Sequence, residues 1–258
     1  MPREGRAEGI RLNFSLRQKI SSWGKLAELI LFPSFCELCS SFLEFPEERV
    51  ICRSCWESIK PFYSSCCLSC GRFFEGRGEP HFCLKCLEEK PPFSCHRSFG
   101  RYSGKLKDLI LFYKFNDFWI IGKDLARLVH KTLVKKEEIW LGLEIIIPVP
   151  LHPKRERKRG FNQAQVIAKE LANLEKVKLV EGVLVKTKNV PPQTFLQLKE
   201  RENNVRGAFQ VVKKEKIRNR VILLVDDVYT TGSTIRECSL VLKKAGAKEV
   251  RALTIAQA

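Results

Sequence analysis

One stretch constrains this chain more than any other: Val221-Ile-Leu-Leu-Val-Asp226-Asp227-Val-Tyr229-Thr230-Thr231-Gly232-Ser233-Thr234. Its first five residues are apolar and three are β-branched, the pattern of a strand buried on both faces in a parallel sheet. Two carboxylates stand where that strand should end. A Thr/Gly/Ser loop follows, and Ile235 to Ala245 then reads as a helix stopped by Gly246. Free backbone N–H groups, the helix dipole and small hydroxyls together make an anion site. The neighbouring carboxylates suit a sugar diol or a divalent metal ion. The stretch is therefore suited to a phosphorylated sugar.

Elsewhere, helical and strand patterns alternate. A short strand is expected over Phe99–Tyr102, helices over Leu106–Phe115 and Ile120–Lys135, and a strand ending in prolines over Glu144–Pro150. Leu151–Gly160 reads as a basic loop, with five cations in the six residues Lys154–Arg159, followed by a helix over Phe161–Leu174. Short strands are expected at Val183–Lys186 and Ala208–Val212, separated by a polar loop over Thr187–Arg206, and a last strand at Glu249–Ile255. This alternation implies an α/β fold with a mainly parallel sheet. At the N-terminus, Met1–Gly9 reads as a disordered tail. Leu16, Ile20, Trp23, Ala27 and Ile30 then mark an amphipathic helix ended by Pro33, its apolar face packing on the protein itself.

The eleven cysteines are not scattered. Cys36, Cys39, Cys52 and Cys55 form C-x2-C, twelve residues, C-x2-C, and Cys67, Cys70, Cys83 and Cys86 repeat that spacing at an offset of 31. Two knuckles of this kind close a tetrahedral site of four thiolates with no open position, so two structural zinc sites are expected. Each quartet is expected to hold its own ion; the spacing also permits a cross-braced arrangement, or Cys66 replacing Cys67 in a shifted register. Disulfides are the alternative and fit a reducing compartment poorly. Cys66, Cys95 and Cys238 read as inert.

No run reaches the ~18 apolar residues needed to span a bilayer, and no signal-peptide pattern is present, so a cytoplasmic protein is expected. The net charge of +17, from 46 Lys and Arg against 29 Asp and Glu, favours polyanions or phosphate ligands. Besides Lys154–Arg159, a second basic run covers Lys213–Arg220, and Phe161, Phe195 and Phe209 are aromatic residues near cationic loops that could stack on unpaired bases.

Asp226-Asp227 with Thr230–Thr234 resembles the phosphoribosyl diphosphate (PRPP) motif of type I phosphoribosyltransferases. Together with the cysteine repeat, Pro148-Val-Pro-Leu151, Arg159-Gly-Phe-Asn-Gln-Ala164, and Gln193, Arg201, Asn204 and Val205 before Ala208-Phe209, the sequence resembles the ComF family over nearly its whole length. The resemblance implies an N-terminal tail and helix over residues 1–33, a double zinc ribbon over 34–92 and a phosphoribosyltransferase-like domain over 93–258. It implies that Asp226 and Asp227 take the ribose hydroxyls, directly or around Mg²⁺, and that Thr230, Thr231, Gly232, Ser233 and Thr234 hold the 5′-phosphate. A pyrophosphate loop would start at Pro148-Val149-Pro150, with Arg155, Arg157 and Arg159 supplying cations, and residues 193–204 would close over the site. Where relatives acting on 6-oxopurines carry an acidic base, this chain has Thr230, which cannot take a proton at neutral pH.

Two functions follow from the resemblance. The first is handling of single-stranded DNA in competence and natural transformation, with a retained PRPP pocket and with competence or recombination proteins as possible partners. The alternative is an active phosphoribosyltransferase acting on a nucleobase or related amine.

Overall fold

The computed structural model describes residues 34–45, 48–62, 65–76, 78–116, 118–134, 137–188 and 205–258. The expected N-terminal tail and helix, and residues 189–204 of the expected polar loop, which include the closing segment 193–204 with Gln193, Phe195, Arg201 and Asn204, lie outside them.

The chain forms two compact units, Met1–Ile59 and Lys60–Ala258. In the first, Phe35 and Phe42 form an antiparallel bridge. A one-turn-plus helix, α1 (Arg53–Ser58), starts at Cys52, whose sulfur accepts from the Cys55 N–H. Its described interior is Cys36, Leu43, Val50, Ile51, Cys52, Cys55 and Ile59. So few apolar side chains do not suffice for a self-standing core, which is why the cysteines matter there.

The second unit opens with the other quartet and α2 (Leu84–Glu88), then continues through β1 (His96–Arg101), α3 (Gly104–Phe115), α4 (Trp119–Leu133), α5 (Glu137–Trp140), β2 (Ile145–Pro148), α6 (Pro153–Arg159), α7 (Gln163–Glu175), β3 (Lys178–Leu179), β4 (Leu184–Lys186), β5 (Phe209–Val211), β6 (Val221–Tyr229), α8 (Ser233–Lys244) and β7 (Glu249–Gln257). Five strands make one parallel sheet in the order β1-β7-β6-β2-β3, and β4 pairs antiparallel with β5 apart from it. Val221–Val225 are all buried, because helices and the second cysteine segment cover both faces.

The sheet has one topological switch point. From β2 the chain moves outward to β3; from β6 it moves the other way, to β7. The crevice between β2 and β6, at their carboxyl ends, is where an open α/β sheet binds ligands. The two strands also end at different heights. Pro148 pairs with Val225, whereas β6 runs on to pair Tyr229 with Gln257 of β7. Asp226 and Asp227 therefore project just past the end of β2.

The expected basic loop is a helix. His152 caps α6, its Nδ1 accepting from the Lys154 N–H at 3.2 Å; Pro153 opens it and Gly160, at φ +79°, ends it. Glu156 in the first turn and Arg157, Lys158 and Arg159 in the last match the helix dipole, which offsets the repulsion among the cations.

Candidate functional site

Side chains alternate across a strand, so the two carboxylates serve opposite faces. Asp227 meets Lys114 of α3, Nζ to Oδ2 3.1 Å, with both side chains largely withdrawn from solvent at 18% and 15% exposure. Tyr113, beside Lys114, is buried, donates its hydroxyl to the Gln163 carbonyl at 3.0 Å, and lies against Gly122 of α4 so closely that any Cβ there would collide with the ring. Burial, and then the charge of Asp227, push the Tyr113 phenol upward. Asp226, on the other face of β6, feels the charge of Lys114 and then that of Lys186 of β4, and its own charge raises the buried Cys238 thiol of α8. Burial and the neighbouring Asp227 raise its carboxyl to about 7, although it accepts the Asp227 N–H at 2.9 Å. Two adjacent carboxylates, of which Asp226 is raised by burial and by the charge of its neighbour, are fit to receive a cation.

The loop after β6 turns at Gly232, φ +80°, where a Cβ would lie 2.2 Å from the Tyr229 hydroxyl. Only glycine fits this turn. Thr231 Oγ1 contacts Ser233 Oγ and accepts the Ser233 N–H at 3.3 Å, and no side chain caps α8 from the N-cap position. Thr230, Thr231 and Thr234 are partly open to solvent, while Gly232 and Ser233 are buried. Hydroxyls and an uncapped helix start are what a phosphate needs.

On the other flank, Val149 continues the β2–β6 ladder by donating to the Val225 carbonyl at 2.9 Å, and its own carbonyl accepts from Asn162 Nδ2 at 3.0 Å. The α6 helix divides the basic run by its own periodicity. Arg155 and Arg159, four residues apart, are half-buried; Lys154, Arg157 and Lys158 are exposed. Burial and the charge of Arg159 lower the Arg155 guanidinium from its usual range. Lys186 is lowered by burial and then by Arg155, and its charge in turn lowers the Asp226 carboxyl. Arg159 donates to Gln163 Oε1 at 3.3 Å and lies over the Phe115 ring, next to Lys114.

The cysteines assemble by consecutive quartets: the sulfurs of Cys36, Cys39, Cys52 and Cys55 lie within 4.8 Å of one another, as do those of Cys67, Cys70, Cys83 and Cys86. Cys39 to Cys52 is 3.6 Å and Cys70 to Cys83 is 3.7 Å. A tetrahedron of thiolates about 2.3 Å from a zinc ion has edges of about 3.8 Å, so the donor sets fit that metal. Backbone N–H groups already point at sulfur, from Cys52 to Cys36 and from Cys83 to Cys67, each at 3.3 Å. Burial opposes ionisation of Cys67, but N–H groups of Cys83, Cys70 and Ser69 outweigh it and hold the thiol at about 7. Cys66, Cys95 and Cys238 fall outside both groups.

Within its own unit the second quartet is built onto the sheet. His96 of β1 is fully buried; its Nδ1 contacts the Cys70 carbonyl at 2.8 Å and its Nε2 contacts Thr254 Oγ1 at 2.9 Å. Burial lowers the imidazole to about 3, so it is neutral, and it stacks on Tyr229 with ring centroids 4.1 Å apart. Arg97 donates to the Leu68 carbonyl at 3.1 Å, and the Phe73 N–H donates to Gln257 Oε1 at 3.3 Å.

Residues 28–87 match a double zinc ribbon domain and residues 157–258 a phosphoribosyl transferase domain. Competence protein F of Haemophilus influenzae is 36% identical over 163 residues, which span 62% of this chain and 71% of that one. The chain belongs to the ComF family. Competence protein ComFC of Streptococcus pneumoniae is 29% identical, across 62% of this chain and 67% of that protein. The DNA utilization protein YhgH of Escherichia coli O6:H1 is 30% identical, across 62% and 71%. Among solved structures, an allosteric regulatory enzyme of purine biosynthesis aligns at a TM-score of 0.35 with 23% identity; it covers 52% of this chain, which spans a quarter of that enzyme. No described helix is long and apolar enough to cross a membrane.

Two residues of this ComF protein's site were not singled out from its sequence. Lys114 lies in the expected helix Leu106–Phe115, where one lysine reads as a solvated position, and Lys186 ends an expected strand. Only the fold brings Lys114 to Asp227 and lets both lysine charges act on Asp226.

The raised carboxyl gives a test by pH. In the unfolded chain Asp226 ionises near pH 4; in the folded protein it does so at about 7. Between those values the folded state holds the extra proton, so stability falls as pH rises through this window. Asp226→Asn should therefore raise Tm little at pH 4 and increasingly up to pH 8, where the gain is about 1–2 kcal/mol. Thermal denaturation of both proteins from pH 4 to 8 checks this, and an equal gain at all pH values would contradict it.

Proposed function

We propose that the Asp226–Thr234 loop binds PRPP and that the protein handles single-stranded DNA in competence and natural transformation, in the cytoplasm. The supporting observation is the carboxylate pair and uncapped loop–helix turn lying at the single switch point of the sheet. Asp226 and Asp227 take the ribose hydroxyls, or a Mg²⁺ ion that neutralises the diphosphate. Thr230, Thr231, Ser233 and Thr234 and the first N–H groups of α8 hold the 5′-phosphate. The loop at Val149 and the half-buried cations Arg155 and Arg159 face the diphosphate, whereas Arg157, expected beside them, is on the exposed face of α6 and is assigned to DNA instead. Each cysteine quartet holds one structural zinc ion. We further propose that residues 34–92 and 93–258 act as ribbon and phosphoribosyl-binding parts.

The division of α6 separates two roles. Charge reversal at Arg155 and Arg159 should weaken Mg·PRPP binding at least about tenfold, because two inward charges become like charges to the diphosphate. Reversal at Lys154, Arg157 and Lys158 should leave PRPP binding intact and lower affinity for single-stranded DNA about tenfold, flattening its salt dependence. Calorimetry with Mg·PRPP and fluorescence anisotropy with oligo(dT) at several salt concentrations read both. Absence of DNA binding at low salt would remove the DNA part of the proposal. Absence of heat with PRPP would remove the other.

A second reading, an active phosphoribosyltransferase, is favoured by the connected Lys186, Arg155 and Arg159 charges, which could stabilise a departing pyrophosphate. Thr230 offers no general base, so an acceptor would have to be nucleophilic unaided. Pyrophosphate release from PRPP across a panel of bases tests it; no base-dependent release leaves binding alone.

A further inference from the structure

Helices α4 and α7 lie side by side and run the same way. Arg127 Nε of α4 donates to Glu170 Oε1 of α7 at 2.8 Å, and further along His130 Nε2 meets Glu175 Oε1 at 2.5 Å. Beside the first two turns of α4 the helices part around a groove of about 740 Å³. Val166 of α7 lines it and packs against Gly122 of α4, where an added Cβ would lie 2.9 Å from the valine Cγ1. Trp119, 51% exposed, and Phe161 also line it, with Lys123 on one helix and Lys169 on the other. Neither the Asp226–Thr234 loop nor Lys114, Lys186, Arg155 or Arg159 lines it. We infer that this groove docks an acidic peptide segment of a partner protein. One aromatic or branched apolar side chain of the peptide packs against Trp119 and Val166, and the carboxylates beside it meet Lys123 and Lys169. The inference stands whether or not the protein binds PRPP or DNA.

The chemistry of the walls carries it. Lys123 Nζ stands 4.8 Å from the centre of the Trp119 ring, so the half-open indole already has a cation beside it. Among the described residues neither Lys123 nor Lys169 forms an ion pair. The one acid on the wall, Glu170, is buried and held by Arg127. Both helices begin beside the groove, α4 without a side-chain cap, so their dipoles add positive potential there. The occupant that fits is therefore apolar at its centre and negative at its flanks. A single strand fits less well, because a base edge needs free donors and acceptors. Asn162 is already engaged with the Val149 carbonyl and the Ala164 N–H, each at 3.0 Å, and Gln165 with Glu181 at 2.7 Å. A second copy of this chain would bring another +17 to a basic face. A tryptophan at an apolar groove, with cations to either side, has the composition of a peptide anchor site.

The test selects random peptides displayed on phage against the full chain. Enriched peptides should carry Phe, Trp, Leu or Ile between Asp or Glu residues. The most enriched one, synthesised with a fluorescein label, is then titrated by anisotropy. Trp119→Ala should weaken it at least about tenfold, and Lys123→Ala/Lys169→Ala at least about fivefold with a flatter salt dependence. None of these side chains is buried, so both variants should fold, which circular dichroism checks. Affinity for oligo(dT) should change less than about threefold in Trp119→Ala. Selection without enrichment of acid-flanked apolar residues, or equal binding of the selected peptide to wild type and both variants, overturns the inference. Loss of oligo(dT) affinity in Trp119→Ala without an effect on the peptide would overturn it too and assign the groove to a single strand. A dimer in solution that Trp119→Ala dissolves would assign it to a second copy and overturn it likewise.

Discussion

Asp227→Asn is expected to weaken Mg·PRPP binding by about a hundredfold and to destabilise the protein as well. Asparagine keeps the shape of the side chain but removes the charge that a ribose diol or a cation would meet. It also leaves Lys114, only 18% exposed, without the carboxylate 3.1 Å away. Breaking a fully buried pair costs about 3–5 kcal/mol; this one retains some solvent, so about 1–3 kcal/mol is expected. The two effects separate in the double variant Lys114→Met/Asp227→Asn. Methionine removes the stranded cation and should recover most of the stability without recovering affinity. Calorimetry and denaturant titration of the three proteins measure both quantities. Retention of full affinity by Asp227→Asn would contradict the assignment of the carboxylate.

The second large effect concerns the cysteines. Purified protein should contain two zinc ions per chain, and Cys39→Ser and Cys70→Ser should each lose one. Their consequences should differ. Cys70 lies in the unit that carries the sheet, and its carbonyl meets His96, which stacks on Tyr229, the last residue of β6 before the loop. Tyr229 in turn packs on Gly232. Loss of the second ion should therefore lower the Tm by at least about 10 °C and weaken PRPP binding about tenfold or more, since structural zinc contributes folding free energy directly. Cys39 belongs to the other unit, and its loss should leave PRPP affinity unchanged. Metal analysis, calorimetry and ligand titration check the contrast. Equal effects of the two variants on PRPP binding would break the proposed link from His96 to the loop.

Much of this was legible in residue order. Five apolar residues before two aspartates and a Thr/Gly turn specify a buried strand and its loop, because those interactions are local. The cysteine spacing specifies four knuckles, because C-x2-C places both sulfurs by its own geometry; that consecutive knuckles join, rather than crossing between the repeats, is decided by the fold. Three things were not legible. The run Lys154–Arg159 reads as a loop, since five cations in six residues repel; the cap at His152, Pro153 and the dipole-matched charges make it a helix and so divide it into inner and outer faces. The short strand Lys178–Leu179 carries too few residues for a pattern and exists through its pairing with Ile145 and Ile146. Lys114, which pairs with Asp227, and Lys186, whose charge acts on Asp226, come from segments distant in the chain.

The sequence by itself determined the parts: a parallel sheet with a phosphoribosyl-type loop, two four-cysteine groups, and an excess of positive charge. These depend on spacing and periodicity, which a chain carries before it folds. The tertiary structure alone decided what surrounds the loop. Strand order put the switch point beside Asp226. Side-chain alternation put Asp226 and Asp227 on opposite faces of β6, with Asp227 against Lys114. Packing of the second cysteine segment against β1, β6 and β7 enclosed a cationic cavity that Thr230 and Thr231 help to line. Those contacts join residues far apart in the chain, and only burial of a shared core brings them together.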